Sequence, residues 1–177
     1  LHRCTVAGVC APLPGTTTTF TVGSLAVSAD GTFAVFASNE RGTGAYDLYR
    51  VSTAGGTPTR LAPDAPSGWR PVADSVYLSP NGQWVTAQAN AGSGQGVYVF
   101  ATSGGSALTP LYVAMGTVAV FNLTFSPNSN GLAFRADLNV DGSYDLFRLT
   151  DLVTPSQTPV LLQSTQGGSV TELRWTP

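Results

Sequence analysis

The chain has 177 residues, of which 42% are hydrophobic and only 10% charged, with 20 Gly and 12 Pro. That length holds one domain with a real core, and the apolar share argues against disorder. The net charge is −2, all eight basic residues are Arg, and no basic run occurs, so nucleic acid and anionic membrane surfaces are poor partners.

A repeat with a period of about 49 residues organises the chain. Its anchors are Ser28, Ser79 and Ser126, then Leu48, Val97 and Leu146. In chain order, residues 1–16 come first. Leu1-His-Arg-Cys-Thr-Val-Ala-Gly matches Leu48-Tyr-Arg-Val-Ser-Thr-Ala-Gly at an offset of 47, so this stretch reads as the last two strands of a repeat. Cys4 and Cys10 then flank a hairpin turn. Facing positions of a hairpin hold a disulfide if the register allows it, and two free thiols are the alternative. A start without Met or a signal-like segment reads as a processed or truncated chain.

Three full repeats follow, over 24–63, 75–114 and 122–163, each read as four strands a to d. Strand a is short and alternating, as in Leu25 and Val27. The turn behind it is Ala29-Asp30-Gly31, Pro80-Asn81-Gly82, or Pro127-Asn128 with Gly131 further on. Strand b is a nearly continuous apolar run, Phe33 to Ala37 or Leu132 to Phe134, which predicts burial on both faces. Strand c carries Asp-Leu-Tyr-Arg-Val or a variant of it. Gly55-Gly56 and Gly104-Gly105 lead into strand d, and the third repeat replaces them with a longer connection over 150–159. Glu172-Leu-Arg-Trp-Thr-Pro177 matches Asn122-Leu-Thr-Phe-Ser-Pro127, so 170–177 reads as strand a of a further repeat.

The fold class expected is all-β: a β-propeller segment of about three and a half four-stranded antiparallel blades. The string Ser-Pro-Asp/Asn-Gly, apolar strand, Asp-Leu-Tyr-Arg-Val, Gly-Gly, Leu resembles the WD40-like, TolB-type propeller repeat over nearly the whole chain. The resemblance implies a periplasmic, secreted or cell-surface bacterial protein that binds partner proteins. It also admits an accessory propeller of a prolyl-oligopeptidase-type hydrolase. Three blades and fragments do not close a ring, which leaves three readings of the ends. The chain is part of a longer one, or two copies complete a larger ring, or copies join head to tail through strand edges as a filament.

Asp137-Leu-Asn139-Val-Asp141-Gly142-Ser143-Tyr-Asp145 sets oxygen ligands at alternate positions with Gly at the sixth, the opening of a calcium loop. The twelfth position is Arg148 instead of Glu, and the first repeat's loop from Asn39 to Gly44 lacks the ligand set. A polar hairpin turn is the competing reading, and no other cofactor is expected. Asp47 and Asp145 open strand c, while Arg50 and Arg148 share a repeat position. Pairing of these charges between blades therefore stands beside an ordinary solvated pair.

Trp69 and Arg70 lie in the connection from Pro63 to Pro71, as a partner contact or as a Trp folded over the blade edge. The other aromatics, Phe33 and Trp84 among them, fall at repeat positions and read as packing between blades. Asn122-Leu-Thr124 is a glycosylation sequon inside a strand. His2 is the sole His and sits in the broken first blade, and there is no Gly-x-Ser-x-Gly elbow or phosphate loop. The expected function is a noncatalytic module for protein–protein interaction or assembly outside the cytoplasm, its partner another protein or further copies of itself.

Overall fold

The computed structural model describes residues 1–4, 10–12, 21–39, 46–61, 70–91, 94–104, 110–113, 120–138 and 142–164. Fourteen strands and no helix occur among them. β1 (His2–Cys4) and β2 (Cys10–Pro12) form a two-stranded antiparallel sheet. β3 (Val22–Val27), β4 (Phe33–Ser38), β5 (Asp47–Ser52) and β6 (Thr59–Arg60) form the first four-stranded sheet, each strand beside the next. β7 (Arg70–Leu78), β8 (Trp84–Ala91), β9 (Gly94–Ala101) and β10 (Pro110–Val113) form the second. β11 (Val120–Phe125), β12 (Leu132–Ala136), β13 (Asp145–Leu149) and β14 (Val160–Gln163) form the third. All pairings are antiparallel. The segment 170–177 lies outside the described residues.

The strand-b runs explain how the sheets stack. Every residue of β4 is buried, because its two faces serve two cores. Phe33, Val35 and Ala37 pack with Val85, Ala87, Tyr98 and Phe100 of the second sheet. Ala34 and Phe36 face the other way, with Tyr49, Val51 and Leu1. Leu132, Phe134 and Ala136 of β12 meet Val97, Val99 and Leu111 of the second sheet. Each blade is therefore glued to the next by apolar faces, the non-directional packing that a propeller needs between its sheets.

The a–b turns repeat atom by atom. In the second blade Ser79 Oγ donates to Asn81 Oδ1 at 2.7 Å and accepts the Trp84 N–H at 2.9 Å. Asn81 Oδ1 also accepts the Gln83 N–H at 3.0 Å. Ser28 with Asp30 and Ser126 with Asn128 repeat the arrangement. Ser-Pro-Asn-Gly is thus a capped turn whose side chains satisfy the backbone that the bend would leave orphaned. The turn needs a left-handed residue at its fourth position, which is Gly31 (φ 69°) and Gly82 (φ 70°), but Ser129 (φ 60°) in the third blade. Ser129 sits there because its hydroxyl accepts the Asn81 N–H at 3.1 Å and so ties the third blade to the second. Gly131 is required for a different reason, since a Cβ there would stand 2.7 Å from the Leu149 carbonyl oxygen. Replacing Ser79, which is buried, with Ala should cost about 1–3 kcal/mol by orphaning the Trp84 N–H. Urea unfolding measures it, and an unchanged midpoint would show that the cap contributes nothing.

Strand a differs in one way from the alternating strand expected. Its pairing with strand b shifts register in every blade, between Val22 and Leu25, Pro71 and Val76, and Phe121 and Thr124. Asn122 lies in the third shift with φ 51°, exposed. Such bulges bend and twist the strand.

Candidate functional site

Two kinds of feature stand out: the uncovered face of the first blade and the clefts between turns of adjacent blades. Leu25 pairs with Phe36 and Val27 with Ala34, so both lie on the face that carries Phe36, Tyr49 and Val51. Phe36 is buried, yet Leu25 is 50% and Val27 55% exposed. β1 and β2 form a separate two-stranded sheet, and Leu1 beside it packs on the face that carries Phe36 and Tyr49. Ser38 shares this face through its pairing with Val22, and its buried hydroxyl has no hydrogen-bond partner.

The clefts follow the repeat. Between the first and second blades, Asp30, Phe33 and Asn81 help line a cavity of about 160 Å³. Between the second and third, Trp84, Asn130, Thr150, Asp151 and Val153 help line one of about 340 Å³. A third, of about 310 Å³, shares Asn130 and Thr150 and adds Arg148. The long connection of the third blade adds Thr150 to Val153 to the wall of the second cleft, which is larger than the first. It turns on Asp151, whose Oδ1 accepts the Val153 N–H at 2.8 Å and whose Oδ2 accepts the Thr154 hydroxyl. Those two bonds, the hydroxyl's first, hold the Asp151 carboxyl below the ordinary carboxylate range. The Gln157 N–H reaches the Leu111 carbonyl of the second blade at 2.7 Å, which pins the connection over the junction. Trp84 reads from sequence as packing alone, but it is only partly buried and lines this cleft.

The sequence-predicted residues are placed as follows. Asn139 and Asp141 lie outside the described residues. Asp137 Oδ2 accepts the Gly142 N–H at 3.0 Å, while Ser143 and Asp145 are buried. Asp137 thus closes the hairpin between β12 and β13. Among the described residues no group of three or more His, Cys, Asp or Glu could hold a metal. Trp69 is outside the described residues, and Arg70 belongs to β7, opposite Asn90, instead of the connection. The strand begins earlier than the hydrophobic pattern suggests because its register shift lets Arg70 and Pro71 pair ahead of the alternating part. Cys4 and Cys10 are Cα partners across β1 and β2, and Cys10 is disulfide-bonded.

Asp47 pairs within its own blade. Its Oδ1 lies 2.9 Å from Arg60 Nη2 on strand d of its own blade, and the two side chains are 4% and 20% exposed. The pair is part-buried, with Asp47 enclosed and Arg60 partly exposed. Arg50 stacks on Phe33, its guanidinium carbon 4.3 Å from the ring centroid. Arg60 falls outside the repeat's shared positions, which is why the pattern pointed to Arg50.

No protein-family model and no curated protein matches the chain. Solved structures do match. A TolB structure from Agrobacterium tumefaciens is similar at 21% identity, over 88% of this chain and 53% of that one, with a TM-score of 0.61. TolB from Acinetobacter baumannii is similar at 18% identity, over 77% and 31%, with a TM-score of 0.57. A puromycin-hydrolyzing peptidase from Mycobacterium tuberculosis is similar at 15% identity, over 93% and 27%, with a TM-score of 0.58. The chain spans about half the length of the first of these and less of the others. Likeness at this identity speaks for fold alone. The repeated four-stranded sheets and these matches together make the chain a segment of an all-β, TolB-like β-propeller.

Proposed function

We propose that this propeller segment is a noncatalytic module for protein–protein interaction or assembly, working in the bacterial envelope or outside the cell. The observation that carries the reading is the uncovered face of the first blade. Leu25 and Val27 stand half-exposed and Val22 is 37% exposed on a face where Phe36, Tyr49 and Val51 are buried. Apolar surface beside a well-packed core is stabilised when a partner covers it, by about 1 kcal/mol for each half-buried side chain completed.

The occupant proposed is a two-stranded element of the same architecture, from the rest of a longer chain or from a second copy. The envelope setting is supported by the two TolB structures among the matches. No helix among the described residues is long and apolar enough to cross a membrane. A joint Leu25→Glu/Val27→Glu substitution should abolish association of the chain while leaving its far-ultraviolet spectrum unchanged. Sedimentation velocity reads this directly. Association that survives both charges would remove this face from the interface.

A further inference from the structure

The three blades carry the same aromatic–cation position in three different states of completeness. Register fixes the equivalence: Val35 pairs with Arg50, Thr86 with Val99, and Ala133 with Arg148. Two residues before Val35, Thr86 and Ala133 stand Phe33, Trp84 and Gly131. In the first blade the ring and the cation are both present, and Arg50 lies over Phe33 at 4.3 Å. The third blade has Arg148 but Gly131 in place of the ring. The second has the ring, Trp84, but Val99 where the cation stands in the first, and Val99 is buried.

The space follows the chemistry. The cleft beside Phe33, lined also by Asp30 and Asn81, is about 160 Å³. The cleft beside Trp84 is about 340 Å³. Asp151 lines that larger cleft; a carboxylate is ionised at neutral pH, and the Thr154 hydroxyl and the Val153 N–H hold this one lower still. An ionised carboxylate offers about four acceptor sites, so the two internal bonds leave capacity for a further donor. Asn130 and Thr150 add neutral polar groups to the same wall. Indole is the strongest of the aromatic cation acceptors.

We propose that the cleft between Trp84 and Asp151 receives an arginine side chain of a protein partner, its guanidinium stacked on the indole and paired with the carboxylate. A guanidinium fits better than an ammonium, because its planar fork stacks on a ring and meets a carboxylate with two donors. The chain's own Arg50 over Phe33 shows that this blade position accommodates such a stack. The inference rests on the interaction role proposed above and names the partner's chemistry at a second surface.

The test is nuclear magnetic resonance titration of the whole chain with acetyl-arginine amide, following the indole N–H resonances. Trp84→Phe identifies the Trp84 signal. A saturable shift of that signal is expected with acetyl-arginine amide and none with acetyl-citrulline amide, the neutral isostere. Asp151→Asn, which keeps one acceptor oxygen for the turn, should weaken binding about fivefold, the factor that about 1 kcal/mol represents. Val99→Arg restores the repeat's own cation and should block the probe. If that buried substitution fails to fold, the isostere and Asp151→Asn decide alone. No saturable shift, an equal response to citrulline, or full affinity in Asp151→Asn overturns the proposal. A silent Trp84 in a chain that still associates defeats this inference only. A responding Trp84 in a chain that stays monomeric defeats the assembly reading and leaves the guanidinium site standing.

Discussion

Replacing Phe134 with Ala should lower the unfolding free energy by about 3–5 kcal/mol, the usual loss for a fully buried Phe. Phe134 is completely buried at the junction of the second and third blades. Its ring stacks with Tyr112 of β10 at 5.9 Å and with Phe147 of β13 at 5.9 Å. One side chain thus joins strand b of one blade to strand d of the blade before it. The loss should appear in urea as a lower midpoint, and a second, separate transition should emerge as the third blade uncouples from the second. A single transition displaced by under about 1 kcal/mol would mean that the blades do not depend on this contact.

Removing Arg60 should be nearly as costly. Arg60→Ala leaves Asp47, 4% exposed, without the guanidinium 2.9 Å away. Breaking a buried pair by deleting one partner costs about 3–5 kcal/mol, and the partial exposure of Arg60 places the expected loss near about 3 kcal/mol. The joint Asp47→Ala/Arg60→Ala change should lose less than the two single changes summed, since both single changes remove the same bond. A loss under about 1 kcal/mol for Arg60→Ala would put the pair among ordinary surface bridges.

The strand-and-turn grammar was open to reading from sequence because it rests on local physics. Phe33 to Ala37 has no polar alternation, so it reads as a strand buried on both faces, and it is one. Ser-Pro-Asn-Gly carries its own hydrogen-bond partners, so its turn needs no tertiary help. What stayed hidden depends on partners distant in sequence or on breaks in the repeat. The Asp47 partner is Arg60, thirteen positions away on a strand of two residues, where the repeat offers no anchor. Arg70 is drawn into β7 by a register shift that no local pattern announces. The Trp84 cleft was not legible, because its wall from Thr150 to Val153 comes from the way the 150–159 connection folds. Calcium at the Asp137–Asp145 hairpin stays a proposal that rests on the spacing of its oxygen donors. The bond from Cys10 to Cys4 is likewise proposed, supported by their facing register.

We propose, as the central reading, that a partner element covers the face of the first blade that carries Leu25 and Val27. Light scattering of the unmodified chain, 18.3 kDa, over a range of concentrations tests it most directly. The account predicts a discrete dimer or larger assembly, lost in Leu25→Glu/Val27→Glu. A folded monomer of full stability at every concentration would contradict it.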